Sequence, residues 1–204
     1  MAAPSFLYLA SRSPRRRELL NQAGVPFRLL DMEVDETVLA GESAVAYVER
    51  LARNKATKGW RILSVSKSKE LAPVLAADTT VALATDILGK PESPEQAVDM
   101  LMQLQGQEHT VHTGVALCFD TKIEARVVTT MVRFGQFSQD MATRYVATGE
   151  PMDKAGAYGI QGFGGVLVAG IEGSYSNVVG LPVQETVELA RLFNVPFWQQ
   201  TAGS

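Results

Sequence analysis

The segment Ser11-Arg12-Ser13-Pro14-Arg15-Arg16-Arg17 gathers cations where a helix should begin. Ser13 is a suitable N-cap, and Pro14 suits the first helical position because proline lacks the N–H that would be unpaired there anyway. The arginines then fall in the first turn, an end that already carries partial positive charge and free N–H donors. Each cation there is disfavoured by roughly 0.3–1 kcal/mol unless a negative group sits opposite. A phosphate would answer the conflict; so would solvation, or pairing with Glu18 and acids elsewhere. Two more residues stand out from their neighbours. Lys55 continues the apolar stripe Ala44, Val48, Leu51 and Ala52 at helical spacing. It therefore points inward or into a cleft, or else snorkels with its stem over apolar surface. Asp78 interrupts the mostly apolar run Val74 to Leu83. A carboxylate there caps a turn or sits in a site, because burying it unpaired is costly.

Elements that position these residues can be read from periodicity and punctuation. Phe6 to Ala10 reads as a short buried strand leading into the Ser13-capped helix, which Gly24 and Pro26 stop. A second helix runs from Ser43 to Gly59. Lys67-Ser68-Lys69-Glu70 is a loop, Val74 to Leu83 a strand, and Leu88-Gly89-Lys90-Pro91 a turn. Ser93-Pro94-Glu95-Gln96 forms a capping box for a helix that ends at Gly106. His109 to Phe119 and Ile123 to Phe134 make a long hairpin turning at Asp120-Thr121-Lys122. His109 and His112, three apart on a strand, face opposite ways and read as structural, not as a metal pair. Ser138 caps a further helix ending near Gly149-Glu150-Pro151. A glycine-dense stretch, Asp153 to Gly165, follows; it allows close backbone approach and also looks like any mobile loop. Val166 to Ile171 is a strand, Gly173 to Asn177 a polar turn, and Pro182 to Phe193 a final helix. The mixture, with its long hairpin, implies an α/β fold: a mixed central sheet with flanking helices and two lobes around a cleft.

At 204 residues, 46% apolar and 20% charged, the chain has the makeup of a soluble globular protein, read as a single bilobed domain over 1–204. A net charge of −3 from 19 basic and 22 acidic side chains gives no field to hold a polyanion, so nucleic acid is not expected as a partner. Cys118 is the sole cysteine, which fits a reducing cytoplasm. The opening Met1 to Ser5 lacks a basic n-region and no apolar run is long enough to span a bilayer, so neither export nor a membrane is expected. Neither a Walker phosphate loop nor the dinucleotide-binding glycine fingerprint is present.

Several segments occur together in one order: Leu9-Ala10-Ser11 with Ser13-Pro14-Arg15-Arg16, Ala77-Asp78-Thr79, Gly89-Lys90-Pro91, Asp153 to Gly162, and Gly173 to Pro182. This series resembles the Maf family of nucleoside triphosphate pyrophosphatases over nearly the whole chain. The resemblance implies hydrolysis of a nucleoside triphosphate to the monophosphate and pyrophosphate, with a divalent cation, Mg2+ or Mn2+, in a cleft between two lobes similar to those of inosine triphosphate pyrophosphatase. It also implies roles. Ser11, Arg15, Arg16, Lys55 and Lys90 hold the triphosphate, Asp78 is the proton acceptor that activates water, and Glu36 is an acid near the metal with Asp78, Asp35 being the fallback. Such a reaction needs a base, a hard cation and fixed positive groups, because water must lose a proton while charge builds on phosphate oxygens.

Arg15, Thr79 and Gln161 stand where branches of that family differ, and their combination looks like the branch acting on dTTP and UTP, with Thr79 and Gln161 contacting the base. Ala77 departs from the usual Gly by a methyl group. A homodimer is common among such enzymes. The alternative implied by the same family is a regulator of septum formation and cell division acting by binding a partner or a nucleotide.

Overall fold

The computed structural model describes residues 4–66 and 70–199. Lys67, Ser68 and Lys69 of the expected loop lie outside them. Among the described residues the sheet has seven strands, in the order β2 (Phe27–Leu29), β1 (Leu7–Leu9), β3 (Val74–Leu83), β5 (Glu108–Phe119), β6 (Lys122–Phe134) and β7 (Val168–Glu172), with β4 (Asp86–Leu88) also on β3. β1 (Leu7–Leu9) is buried on both faces, as suits a central parallel strand. It pairs in parallel with β2 (Phe27–Leu29) on one side and with β3 (Val74–Leu83) on the other. From β1 the chain passes through α1 (Pro14–Gln22) to β2, and then through α2 (Ala44–Val65) across to β3. Such a reversal of direction leaves a crevice beyond the carboxyl ends of the parallel strands.

β3 is the strand that opens onto this crevice. β1 covers it at Val74 and Leu75, and β4 (Asp86–Leu88) covers it at Val81 to Leu83. Between these, Ala76 to Thr80 pair only with β5 (Glu108–Phe119) among the described strands. The expected hairpin is present: β5 and β6 (Lys122–Phe134) pair from Phe119↔Lys122 to Glu108↔Arg133, and Asp120 takes the left-handed φ of 55° that its turn requires.

Alternation along β3 sorts the core. Val74 and Ala76 face α2 with Tyr8, Ala52, Ala56, Leu63 and Ala116. Leu75 and Ala77 face α1 and α6 (Val183–Leu192) with Leu19, Leu20, Leu117, Leu181 and Leu189. Past the polar triplet Asp78-Thr79-Thr80, Val81 joins a separate cluster with Leu101 and Leu104 of α3 (Pro94–Leu104), Tyr145 of α4 (Gln139–Ala147), Val111 and Phe134. Two apolar clusters thus flank the first half of β3 and a third lies at its far end, and the polar triplet falls at the seam between them. Small side chains let α2 come close to the sheet. A Cβ at Gly114, opposite Asp78 in register, would overlap the carbonyl of Val48.

Several boundaries differ from expectation for local reasons. α2 runs on past Gly59, which is packed under Val74 and Leu30 and so serves close approach, not termination. Gly173 to Asn177 is not simply a turn. Ser174 Oγ accepts the amide of Asn177 and opens α5 (Tyr175–Val179). β7 (Val168–Glu172) starts two residues late, because residues 163–167 form a 3-10 turn. In the capping box Ser93 Oγ accepts Gln96 N, but Gln96 Oε1 reaches the amide of Glu92, one residue early. No described helix is long and apolar enough to cross a membrane.

Candidate active site

A cleft of about 790 Å³ opens at the seam. Ser11, Arg15, Arg16, Glu36, Lys55, Asp78, Thr79, Lys90 and Gln161 all line it. Its cationic lining residues are Arg12, Arg15, Arg16, Lys55, Lys90 and Lys154, against Glu33, Glu36, Asp78 and Asp153. A local positive excess therefore coexists with a chain that is net negative.

The arginine run divides between the two fates open to it. Arg12 donates to Asp31 at 2.7 Å and Glu33 at 2.9 Å on the surface, which also raises its own pKa through the Asp31 bond first. Arg17 donates to the carbonyl of Arg12. Arg16 turns inward, where its Nε donates to Gly180 O at 2.7 Å, Nη1 to Ser11 Oγ at 3.3 Å and Nη2 to Thr79 Oγ1 at 3.0 Å. These acceptors are neutral, so they fix the fork without cancelling its charge. Burial pulls the Arg16 pKa down, and the nearby Asp78 carboxylate opposes this. Arg15 stands 3.6 Å from Asp153. Ser13 occupies the N-cap position, but its side chain makes no capping bond.

Acceptors for Arg16 are themselves anchored. Thr79 Oγ1 lies 2.9 Å from Thr113 Oγ1, Thr113 donates to Asn177 O, and Asn177 Nδ2 donates to Val111 O and Thr130 Oγ1. This polar ladder, buried at Thr113, Thr130 and Asn177, holds the α5 end, and hence Gly180, against the sheet.

On the opposite face of β3, Lys55 Nζ donates to Asp78 Oδ1 at 2.6 Å and to Glu36 Oε1 at 2.5 Å. The inward reading of Lys55 is the one realised. Burial raises the Asp78 pKa against the pull of Lys55 and Arg16. Burial also pushes Glu36 upward, but the hydrogen bond and charge of Lys55, with Lys90 and Arg16 behind them, bring it below its ordinary value. Asp35 is otherwise engaged: its Oδ1 accepts the amide and hydroxyl of Thr37 in a local turn. Glu36, not Asp35, therefore faces the cleft.

Lys90 follows β4, a strand too short to show in the sequence, and its loop is tied down by Gly156 N donating to Gly89 O. Gln161 is exposed at the rim. Sequence reading missed Tyr47 and Lys154. Tyr47 OH donates to Glu36 O at 2.9 Å, and burial, with the charges of Asp78 and Glu36, pushes it up to about 12. The spacing Tyr47, Leu51, Lys55 was the available signal, since residues four apart share a helix face. Lys154 bonds Glu150 O and Asp153 Oδ1. His109 and His112 have separate partners: Tyr158 OH for the first, Thr110 and Thr129 for the second.

This is an α/β protein whose cleft, at a strand-order reversal, offers fixed cations and one buried carboxylate to a polyanion. The chain belongs to the Maf family: the model of that family, Maf-like protein, matches residues 6–193. It is 52% identical over 195 residues to the dTTP/UTP pyrophosphatase of Myxococcus xanthus, covering 96% of each chain. It is 51% identical to that of Methylobacillus flagellatus over 91% of each. With the dTTP/UTP pyrophosphatase of Alcanivorax borkumensis it shares 48% over 95% of this chain and 98% of the other. The solved Staphylococcus aureus Ham1 protein superposes with a TM-score of 0.45 at 14% identity over 79% of each chain.

Proposed function

We infer that this chain is a nucleoside triphosphate pyrophosphatase that hydrolyses dTTP and UTP to the monophosphate and pyrophosphate. The observation that carries the reading is Asp78, a carboxylate made more basic by burial and set in a cation-rich cleft. Relatives about half identical over nine-tenths of the chain, and named for that activity, support it.

Ser11, Arg15, Arg16, Lys55 and Lys90 receive the triphosphate oxygens. Asp78 takes the proton of a water that attacks the α-phosphorus; the new bond is from that oxygen to phosphorus, and the α–β bridging bond breaks to release pyrophosphate. A raised carboxylate pKa suits this task, since a general base works best near the operating pH. Lys55, on a flexible stem, turns from Asp78 to the arriving phosphates and so frees the base. Thr79, expected from the sequence to contact the base, has its hydroxyl engaged by Arg16 and Thr113, and on this reading it keeps that guanidinium in place.

The donor set fits a hard divalent cation, Mg2+ or Mn2+. Glu36 and Asp78 already share one cation, the Lys55 ammonium. Two carboxylates leave most of the shell of such an ion to substrate oxygens and water. Glu36 and Asp78 would hold it, and when bound it offsets charge gathering on phosphate oxygens.

Gln161 carries an amide with a donor and an acceptor, matching the O4 and N3–H edge that uracil and thymine share and cytosine does not. The same reading takes the enzyme as one bilobed cytoplasmic unit over 1–204, of a kind in which homodimers are common, with neither nucleic acid nor a membrane as partner. A panel of nucleoside triphosphates with Mg2+ or Mn2+, assayed for both products, tests it. Monophosphate and pyrophosphate from dTTP and UTP are expected, and EDTA stops the reaction. Diphosphate and orthophosphate as products would sink the reading.

A further inference from the structure

Beneath the glycine-dense segment lies a carboxylate that does not line the cleft. Glu150 Oε2 accepts the amide of Phe163 at 2.8 Å, and its Oε1 accepts Gly164 N at 3.1 Å and Tyr145 OH at 2.8 Å. Tyr145 OH in turn accepts Gly159 N at 3.0 Å. Gln161 therefore sits in a span tied at Gly159 on one side and at Phe163 and Gly164 on the other.

The glycines follow from this arrangement. A Cβ at Gly162 would overlap the Glu150 carboxylate, and one at Gly159 would fall 2.7 Å from Lys154 Cε. Backbone amides bonded to a carboxylate are charge-assisted and shorter than neutral pairs. Burial pushes the Glu150 pKa upward, but the bonds from Gly164, Phe163 and Tyr145 bring it below its ordinary value, so it is ionised at neutral pH. Tyr145 is buried, which fixes the far end of the clasp to α4. Exposed as it is, Gln161 gains a defined direction from the backbone on either side of it.

We propose that Glu150, acting with Tyr145, is a positioning residue for base selection: it holds the backbone that aims Gln161 at the pyrimidine edge. This rests on the reading of Gln161 given above. A base reader 1 Å out of place loses discrimination sooner than it loses chemistry.

The test is a set of specificity constants for dTTP, UTP and CTP on wild type, Glu150→Gln, Tyr145→Phe, Gln161→Ala and Glu150→Gln/Gln161→Ala. Glu150→Gln and Tyr145→Phe each lower the dTTP to CTP ratio by about tenfold, the order of one hydrogen bond's net worth. The change falls on KM, with kcat held within about threefold. On the Gln161→Ala background, Glu150→Gln lowers the ratio no further. Amide hydrogen exchange at Phe163 and Gly164 rises in Glu150→Gln, a readout independent of turnover. If Gln161→Ala lowers the ratio while folded Glu150→Gln or Tyr145→Phe keeps it, or if the losses add in the double variant, the positioning role is wrong. A wild-type ratio in Gln161→Ala itself removes the base-reading role and this inference with it. Tyr145→Phe deletes only a hydroxyl, so it decides the matter if Glu150→Gln does not fold.

Discussion

Lys55 Nζ lies 2.6 Å from Asp78 Oδ1 while it also holds Glu36 Oε1 at 2.5 Å, so one ammonium joins a carboxylate from the sheet to another from a surface loop. Asp78 is nearly covered and Glu36 about half exposed. The pair is thus graded in solvation, which suits a base beside a group that meets incoming ions.

Replacing Asp78 with Asn keeps shape and hydrogen bonding but removes the proposed base. Turnover of dTTP should fall roughly 10²–10⁴-fold with the fold intact. Stability should move the other way. Burial lifts Asp78 above its ordinary 3.8 in the folded state. Its favourable contribution is therefore complete below 3.8 and lost as pH rises through the raised value. Thermal melts should show Asp78→Asn gaining on wild type as pH rises from 3 toward 7. An equal gap at all pH values would contradict the burial of a charged Asp78.

Glu36→Gln should raise the Mg2+ concentration for half-maximal activity by about tenfold or more, as expected for a lost carboxylate near an oxygen-bound cation. Asp35→Asn should leave it near wild type, because Asp35 serves the Thr37 turn and Asn makes the same turn. Mg2+ titrations of the two variants check this directly.

Arg16→Lys removes the fork that engages Gly180, Ser11 and Thr79. Its kcat/KM for dTTP should drop by roughly 10²-fold, since a point charge does not replace a planar donor set. Arg12→Ala should change kcat/KM by less than about threefold, as expected for a surface ion pair. Steady-state kinetics of both variants separate the arginine of the cleft from the arginine of the surface.

Thr79→Val and Gln161→Ala should differ in kind. The Thr79 hydroxyl is engaged by Arg16 and Thr113, so its loss should weaken dTTP, UTP and CTP alike. Loss of Gln161 should narrow the gap between dTTP and CTP by about tenfold, the order of one hydrogen bond's net worth. Specificity constants for the three nucleotides distinguish the two patterns.

What could be read in the sequence was whatever periodicity or charge conflict exposes. Asp78 inside an apolar strand, Lys55 on an apolar stripe and arginines at a helix start each violate a local rule, and Asp78, Lys55, Arg15 and Arg16 line the cleft. Lys90 shows no such conflict. Its position depends on β4, three residues long, and only the family resemblance pointed to it. Glu36 and Asp35 are adjacent in a loop without a period, and the hydroxyl of Thr37 decides between them. α5 looked like a turn because five residues hold little more than one turn of pattern. Glu150 was out of reach because two of its partners are backbone amides more than a dozen residues away, which side-chain spacing does not encode.

The central claim is that water, activated by Asp78, attacks the α-phosphorus. Hydrolysis of dTTP in H2¹⁸O, with mass spectrometry of both products, tests it most directly. One ¹⁸O is expected in dTMP and none in pyrophosphate. Label in pyrophosphate would contradict it.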